Sequence, residues 1–406
     1  MKFIFFAYNF YTLYLSYVYS KELKKMDVPS ELLWRETLTK LPKGAYTAIW
    51  DSIKIIHLPH EEFSWIRRFA STFKITDLFD KLVTFTYLVK YFLLSKEAQF
   101  YLVVFKDDNP FDKIAINFFK GRSFLKKIVL IEEGTDLYSE KKLGGKQSFK
   151  QRLKNNCIMS VKPYHINQGE NSKVDIIIAN FPELLSSKKT ANKKYYTHPG
   201  SVFSKKNSIN FLKDLFLLKE NDLLKQDRIN YLYVGQPLAE DGWITSSKEL
   251  DAIKQLATHL SSNGTLIIKP HIRDPKNKYD HIINEFSNVI SLEDNLSLLP
   301  VELLFDLLGR PIFMTPFSSA GINIALSDEN ALVFFIFKLF SLNTITNELP
   351  ILVKSPLSNI KVINNYKEMQ EEIHQYREGV FVQQNQNNSQ HKSEFSRLLS
   401  MVIHDK

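Results

Sequence analysis

The sequence predicts an α/β protein built from two open, doubly wound, Rossmann-like domains. Three observations carry that expectation. At 406 residues the chain exceeds what one compact core usually organises. Its β-rich runs are continuous apolar stretches rather than alternations, as strands buried on both faces of a parallel sheet are. Those runs also alternate with segments whose apolar residues fall at helical spacing.

In chain order, "KFIFFA" reads as a first strand, Lys2 to Ala7, followed by a loop at Tyr8 and Asn9 and a helix from about Tyr11. A signal peptide or membrane anchor fits this segment less well: one positive charge precedes the apolar run, Asn9 and several tyrosines interrupt it, and no small-residue cleavage site follows. Further strands are expected at 52–58, 98–105, 126–133, 174–181, 229–236, 264–271, 288–293, 311–317 and 331–337. The stretch Lys248 to Ser262 has helical periodicity and ends at "NG" before the next strand. A polar, lysine-rich segment gives a linker at 191–227, between an N-terminal domain of residues 1–190 and a C-terminal domain of 228–385; the low-complexity stretch "QQNQNNSQHKS" at 383–393 leads into a C-terminal tail of 386–406. In two such domains, ligands belong at the carboxyl ends of the strands, in a cleft between the sheets.

Hydrophobic residues at 44% and charged residues at 24% exclude a largely disordered chain. The excess of 53 Lys and Arg over 44 Asp and Glu, a net charge of +9, suits an anionic partner without saying which. A single cysteine, Cys157, cannot form an intrachain disulfide, and no Cys/His cluster has metal-ligand spacing. A reducing compartment and no structural zinc are therefore expected.

Three strand ends carry chemistry. "IVLIEEG" ends on Glu132 and Glu133 before Gly134. Neighbouring strand residues point to opposite faces, so one glutamate faces the cleft, where partial burial would make it a general base; a charged strand end facing water is the plainer reading. "TLIIKPHIRDP" places Lys269, Pro270 and His271 at the end of another strand. A histidine there can donate to a phosphate or protonate a leaving oxygen, or be merely structural. "MTPFSSAGINIAL" puts Ser318 and Ser319 before a small-residue helix, either an anion site or a plain N-cap. Between the last two, Glu302 stands at a helix start, where its carboxylate would meet a ribose diol or only the helix dipole.

The order of these motifs resembles the bacterial GT-B sialyltransferases: "EEG" at 132–134, "KPHI" at 269–272, "SS" at 318–319, and Glu302 at the ribose-binding acid. The "YVGQPL" stretch at 233–238 looks most like glycosyltransferase family 52, the lipooligosaccharide sialyltransferases, with the bacterial polysialyltransferases related by motif. The match departs at Ile272, where the family has proline. The resemblance implies a GT-B fold and inverting transfer of sialic acid from CMP-sialic acid to a lipooligosaccharide or capsular glycan, without cofactor or metal. It casts Glu132 as the base, with Glu133 or Asp241 as alternatives. His271 would meet the leaving phosphate, Lys269, Pro270, Ser318 and Ser319 would bind CMP, Glu302 would hold the ribose, and Asn9, Gly134 and Gly235 would line nearby loops.

The implied partners are a sugar-nucleotide donor and a glycan or glycolipid acceptor, at a cytoplasmic location. Peripheral contact with the inner face of the membrane and a homodimer are compatible with the resemblance. Chain-extending polysialyl transfer and a UDP- or GDP-sugar donor are the rival activities, and a non-enzymatic basic binding protein is a more distant one. No recognition motif for nucleic acid is present.

Overall fold

A computed structural model of the chain describes residues 1–36, 40–47, 49–56, 83–89, 99–139, 167–216, 230–260, 264–292, 294–343, 345, 351–354, 357–378 and 391–403. Cys157 lies outside the described residues. The first sheet contains β1 (Lys2–Ala7), β2 (Ser30–Arg35), β3 (Ser52–Ile56), β4 (Phe100–Val104), β5 (Leu125–Ile131), β6 (Ile176–Ala179) and β7 (Lys194–Thr197), in the order β3-β2-β1-β4-β5-β6-β7. The second contains β8 (Asn230–Val234), β9 (Thr265–Lys269), β10 (Val289–Ser291), β11 (Ile312–Thr315), β12 (Val333–Phe335) and β13 (Ile360–Val362), in the order β10-β9-β8-β11-β12-β13. Every pairing in both sheets is parallel. Each half starts at its sheet's centre, winds outward on one side and then returns to the other. The winding reverses between β1 and β4 and between β8 and β11, which marks the ligand crevice in each domain. This is the GT-B-type architecture expected of the sequence.

The apolar runs became strands because both of their faces are covered. In β1, Phe3 and Phe5 join one apolar cluster while Ile4 and Phe6 join another, and each cluster includes residues of both sheets. β1 pairs with β2 and β4, so the first residues of the chain form an interior strand. The following helix, Phe10–Lys25, begins with a capping box: Asn9 Oδ1 accepts from the Thr12 amide at 2.8 Å, and Thr12 Oγ1 accepts from the Asn9 amide at 3.2 Å. Among the described residues, no helix is long and apolar enough to cross a membrane.

Three strands lack a plain signature. β2, "SELLWR", is composed mostly of good helix formers and is a strand because it adds to β1 in register. β7 is a polar edge strand, and β13 has only three residues. β7 corrects the expected domain limits, since residues 194–197 complete the first sheet inside the segment read as linker. The helix Lys205–Phe211 in that segment packs against Phe10–Lys25 through Tyr14 and Phe211, whose ring centroids lie 5.1 Å apart. The expected tail is corrected too. Helix His391–Ile403 returns to the first domain, where Phe395 meets Tyr19 at 4.8 Å between centroids and Tyr101 donates from its hydroxyl to the Ile403 carbonyl at 3.1 Å.

Phe395 is buried together with Leu398, Leu399 and Val402. Phe395→Ala should therefore destabilise the first domain by about 3 to 5 kcal/mol, the usual cost of emptying a phenylalanine site. Denaturant unfolding followed by tyrosine and tryptophan fluorescence measures this. An unchanged midpoint would show that the C-terminal helix contributes nothing to that core.

Candidate active site

The acidic pair follows β5. The strand ends at Ile131, yet Glu132 extends its ladder by one bond, donating its amide to the Ile178 carbonyl at 2.9 Å. The alternation of faces therefore still separates Glu132 from Glu133. Glu132 is buried, with 3% of its surface exposed. One carboxylate oxygen accepts from the Tyr138 hydroxyl at 2.5 Å and the Asn180 amide at 2.6 Å; the other accepts from Asn180 Nδ2 at 3.0 Å. Burial pushes its pKa up to about 7, against the opposing pull of those donors. Tyr138 is held in turn by the buried Lys189, whose ammonium donates to the Leu137 and Ser139 carbonyls at 2.5 Å each.

Glu133 turns to the loop after β1. Its oxygens accept from the Tyr8 hydroxyl at 2.7 Å and from Asn9 Nδ2 at 2.9 Å, so the side chain that caps the first helix also ties that helix to the acidic loop. Its charge raises the pKa of the neighbouring Lys106 above the ordinary lysine value. Gly134 meets the second domain: a Cβ added there would sit 3.4 Å from Ser319 Oγ.

In the second domain, β9 ends at Lys269, and Pro270 and His271 follow. The His271 amide donates to Asp274 Oδ2 at 2.8 Å, and His271 Nδ1 accepts from the Arg273 amide at 3.2 Å. That acceptor role leaves the ring proton on Nε2 of the neutral imidazole. Burial, with help from the charges of Arg273 and Lys269, pulls the pKa down to about 4. At neutral pH the ring is thus a hydrogen-bond donor rather than a stored acid. Asp274 is anchored by Tyr279 at 3.0 Å and by Lys278 at 2.8 Å, and Lys278 also reaches Glu249 at 2.8 Å and Glu240 at 2.9 Å. This buried ion cluster ties the histidine loop to the loop after β8. A Cβ on Gly235 would lie 2.9 Å from the Tyr279 hydroxyl, so only glycine admits that approach.

Asp241 sits on the loop after β8 in a bidentate pair with Arg273, at 2.7 and 2.9 Å, and both its oxygens are engaged there. Lys269 donates to the Ser297 carbonyl at 2.6 Å, and burial lowers its pKa to about 8. Glu302, on the single turn Val301–Leu304, is buried; its pKa is raised by that burial and held back by Asn323 and Lys269. Ser318 is the N-cap of helix Ser319–Ser327, accepting from the Ala320 amide at 3.3 Å, which leaves its own hydroxyl proton free to donate.

Sequence reasoning missed two asparagines. Asn180 follows β6 as Glu132 follows β5, a polar residue ending an apolar run, and that signal could have found it. Asn323 lies one turn beyond Ser319, a buried polar residue among "GINIA". Asn180 Nδ2 donates to Asn323 Oδ1 at 3.3 Å, joining the two domains, and Asn323 Nδ2 donates to Glu302 Oε1 and to the Tyr11 hydroxyl, both at 2.9 Å. The arrangement presents a buried carboxyl of near-neutral pKa in one domain. The other contributes a neutral imidazole donor, a second buried carboxyl and a capped helix start.

Comparison with known proteins gives the fold and the family. No curated protein is detectably similar to the chain in sequence. In structure the chain is similar to the UDP-GlcNAc 2-epimerase of Methanocaldococcus jannaschii, at 9% identity and a TM-score of 0.57 over 100% of both chains. It is similar to a putative UDP-N-acetylglucosamine 2-epimerase of Listeria monocytogenes, at 10% identity and 0.54, covering 93% of this chain and 88% of that one. The GT-B domain of a sialyltransferase from Photobacterium damselae aligns at 11% identity and 0.47, over 89% and 99%. A family profile described as alpha-2,8-polysialyltransferase (POLYST) matches residues 38–306, a span that holds the acidic pair, the histidine and Glu302. The chain is a glycosyltransferase and belongs to the alpha-2,8-polysialyltransferase family.

Proposed function

We propose that the protein transfers sialic acid from CMP-sialic acid, with inversion, to a hydroxyl of a cell-surface glycan. The observation that carries the proposal is the buried Glu132, whose pKa of about 7 suits a general base. Glu132 takes the proton of the acceptor hydroxyl as that oxygen bonds to the anomeric carbon. The bond from that carbon to the phosphate oxygen breaks, and its electron pair leaves with CMP. His271 stabilises the departing phosphate by donating from Nε2, and Ser318 and Ser319 add hydroxyl donors at the helix start. Glu302 accepts from the ribose. Glu133 holds the loop of Tyr8 and Asn9, and Asp241 holds Arg273 beside the histidine.

The family match favours a second, finer reading: the acceptor itself ends in sialic acid and the enzyme extends a polymer. The net charge of +9 is consistent with such an anionic product, and also with peripheral contact with an anionic membrane. Donor choice has a direct test. CMP should raise the melting temperature and UDP and GDP should not, because only a ligand bound by the native state stabilises it. Preferential protection by UDP would assign a UDP-sugar donor instead.

The glutamates have separate tests. Glu132→Gln should lose on the order of 10²-fold or more in kcat while keeping CMP affinity, and Glu133→Gln should lose much less. The base works only when deprotonated, so kcat/KM of the unaltered enzyme should rise with pH through about 7 and level off above it. Equal small losses from both variants would place the base elsewhere.

A further inference from the structure

We infer that Asn180 and Asn323 form an interdomain amide bridge that positions the base and couples it to the donor side of the site. The inference rests on Glu132 being the base. Its ground is a continuous set of hydrogen bonds: Glu132 to Asn180 at 3.0 Å, Asn180 to Asn323 at 3.3 Å, and Asn323 to Glu302 at 2.9 Å. Both asparagines are buried, at 8% and 2% exposure.

The chemistry of the ends orients the amides. A carboxylate only accepts, so each asparagine must turn its NH2 to its own glutamate. The Asn180 NH2 has two protons, one for Glu132 and one for Asn323 Oδ1. The Asn323 NH2 likewise serves Glu302 and the Tyr11 hydroxyl. Neither amide can flip without setting an oxygen against a carboxylate. The bridge therefore transmits orientation: a ribose hydroxyl bound at Glu302 fixes Asn323, Asn323 fixes Asn180, and Asn180 fixes the plane of the Glu132 carboxylate. The bridging contact spans 143 residues of sequence and two domains, so it exists only when the domains stand together. Base alignment is thereby tied to domain closure over the donor.

The titratable groups facing Glu132 are Tyr138 from the following turn and Tyr11 and Tyr19 from the first helix, with Glu302 at the far end of the bridge. Burial raises all three tyrosines well above 10, so none of them changes charge near neutrality. The test follows the Glu132 carboxyl by infrared spectroscopy across pH, its band identified by its loss in Glu132→Gln. Asn180→Ala should move the midpoint upward, and Asn323→Ala, which removes no atom in contact with Glu132, should move it the same way. With CMP-sialic acid as donor, Asn323→Ala should lower kcat by about tenfold, the size of an ordinary coupling between sites, and the double variant should lose little more than Asn180→Ala alone.

Asn323→Ser serves the same purpose if the alanine variant fails to fold. A midpoint unmoved in the Asn323 variants, or losses that simply add, overturns the bridge and leaves Asn323 a structural residue. Absence of any transfer from CMP-sialic acid by the unaltered protein overturns the donor reading instead, and the infrared midpoints still decide the bridge.

Discussion

Everything in this molecule depends on strand direction. With every pairing parallel in both sheets, all strands of a sheet end at one edge, and the polar residues that terminate apolar runs collect there. Glu132, Asn180 and Asn9 reach that edge in the first domain, and His271 and Ser318 reach it in the second. Helices bring Asn323 and Glu302 to the same place. The two edges meet through the Asn180–Asn323 hydrogen bond, and Gly134 stands where an added Cβ would reach Ser319.

The alternation of faces parts the two adjacent glutamates, and their different surroundings give them different chemistry. Glu132 is enclosed, which raises its pKa, and meets neutral donors, which pull it partly back while keeping the carboxylate satisfied. Glu133 is only partly buried and is spent on joining the first helix to the acidic loop. A similar division holds in the second domain. His271 is kept neutral by burial and single in tautomer by the Arg273 amide, while Lys278 and its carboxylates hold the loop on which it stands. A buried ion cluster of that kind is a poor source of net stability, so its value lies in fixing one loop geometry.

Much of this was legible in the sequence because it is local. Continuous apolar runs marked ten of the thirteen strands among the described residues, and a polar residue closing such a run marked Glu132 and His271. That the two neighbouring glutamates part to different surroundings also followed from strand geometry, although the choice of Glu132 came from the family resemblance and the strand itself ends at Ile131. What escaped was contextual. β2 is a strand through its partner β1, β7 is polar because it is an exposed edge, and His391–Ile403 needs the first domain's aromatic surface to be a helix with a purpose. The asparagine bridge lay beyond local reading, since its two halves meet only after both domains have folded.

The central claim is transfer of sialic acid from CMP-sialic acid with inversion. Proton and phosphorus NMR of the purified protein mixed with CMP-sialic acid and a sialylated oligosaccharide tests it most directly. The account predicts one CMP released for each new glycosidic bond, with that bond opposite in anomeric configuration to the donor. A product of retained configuration, or a donor left intact while a UDP-sugar is consumed, would contradict it.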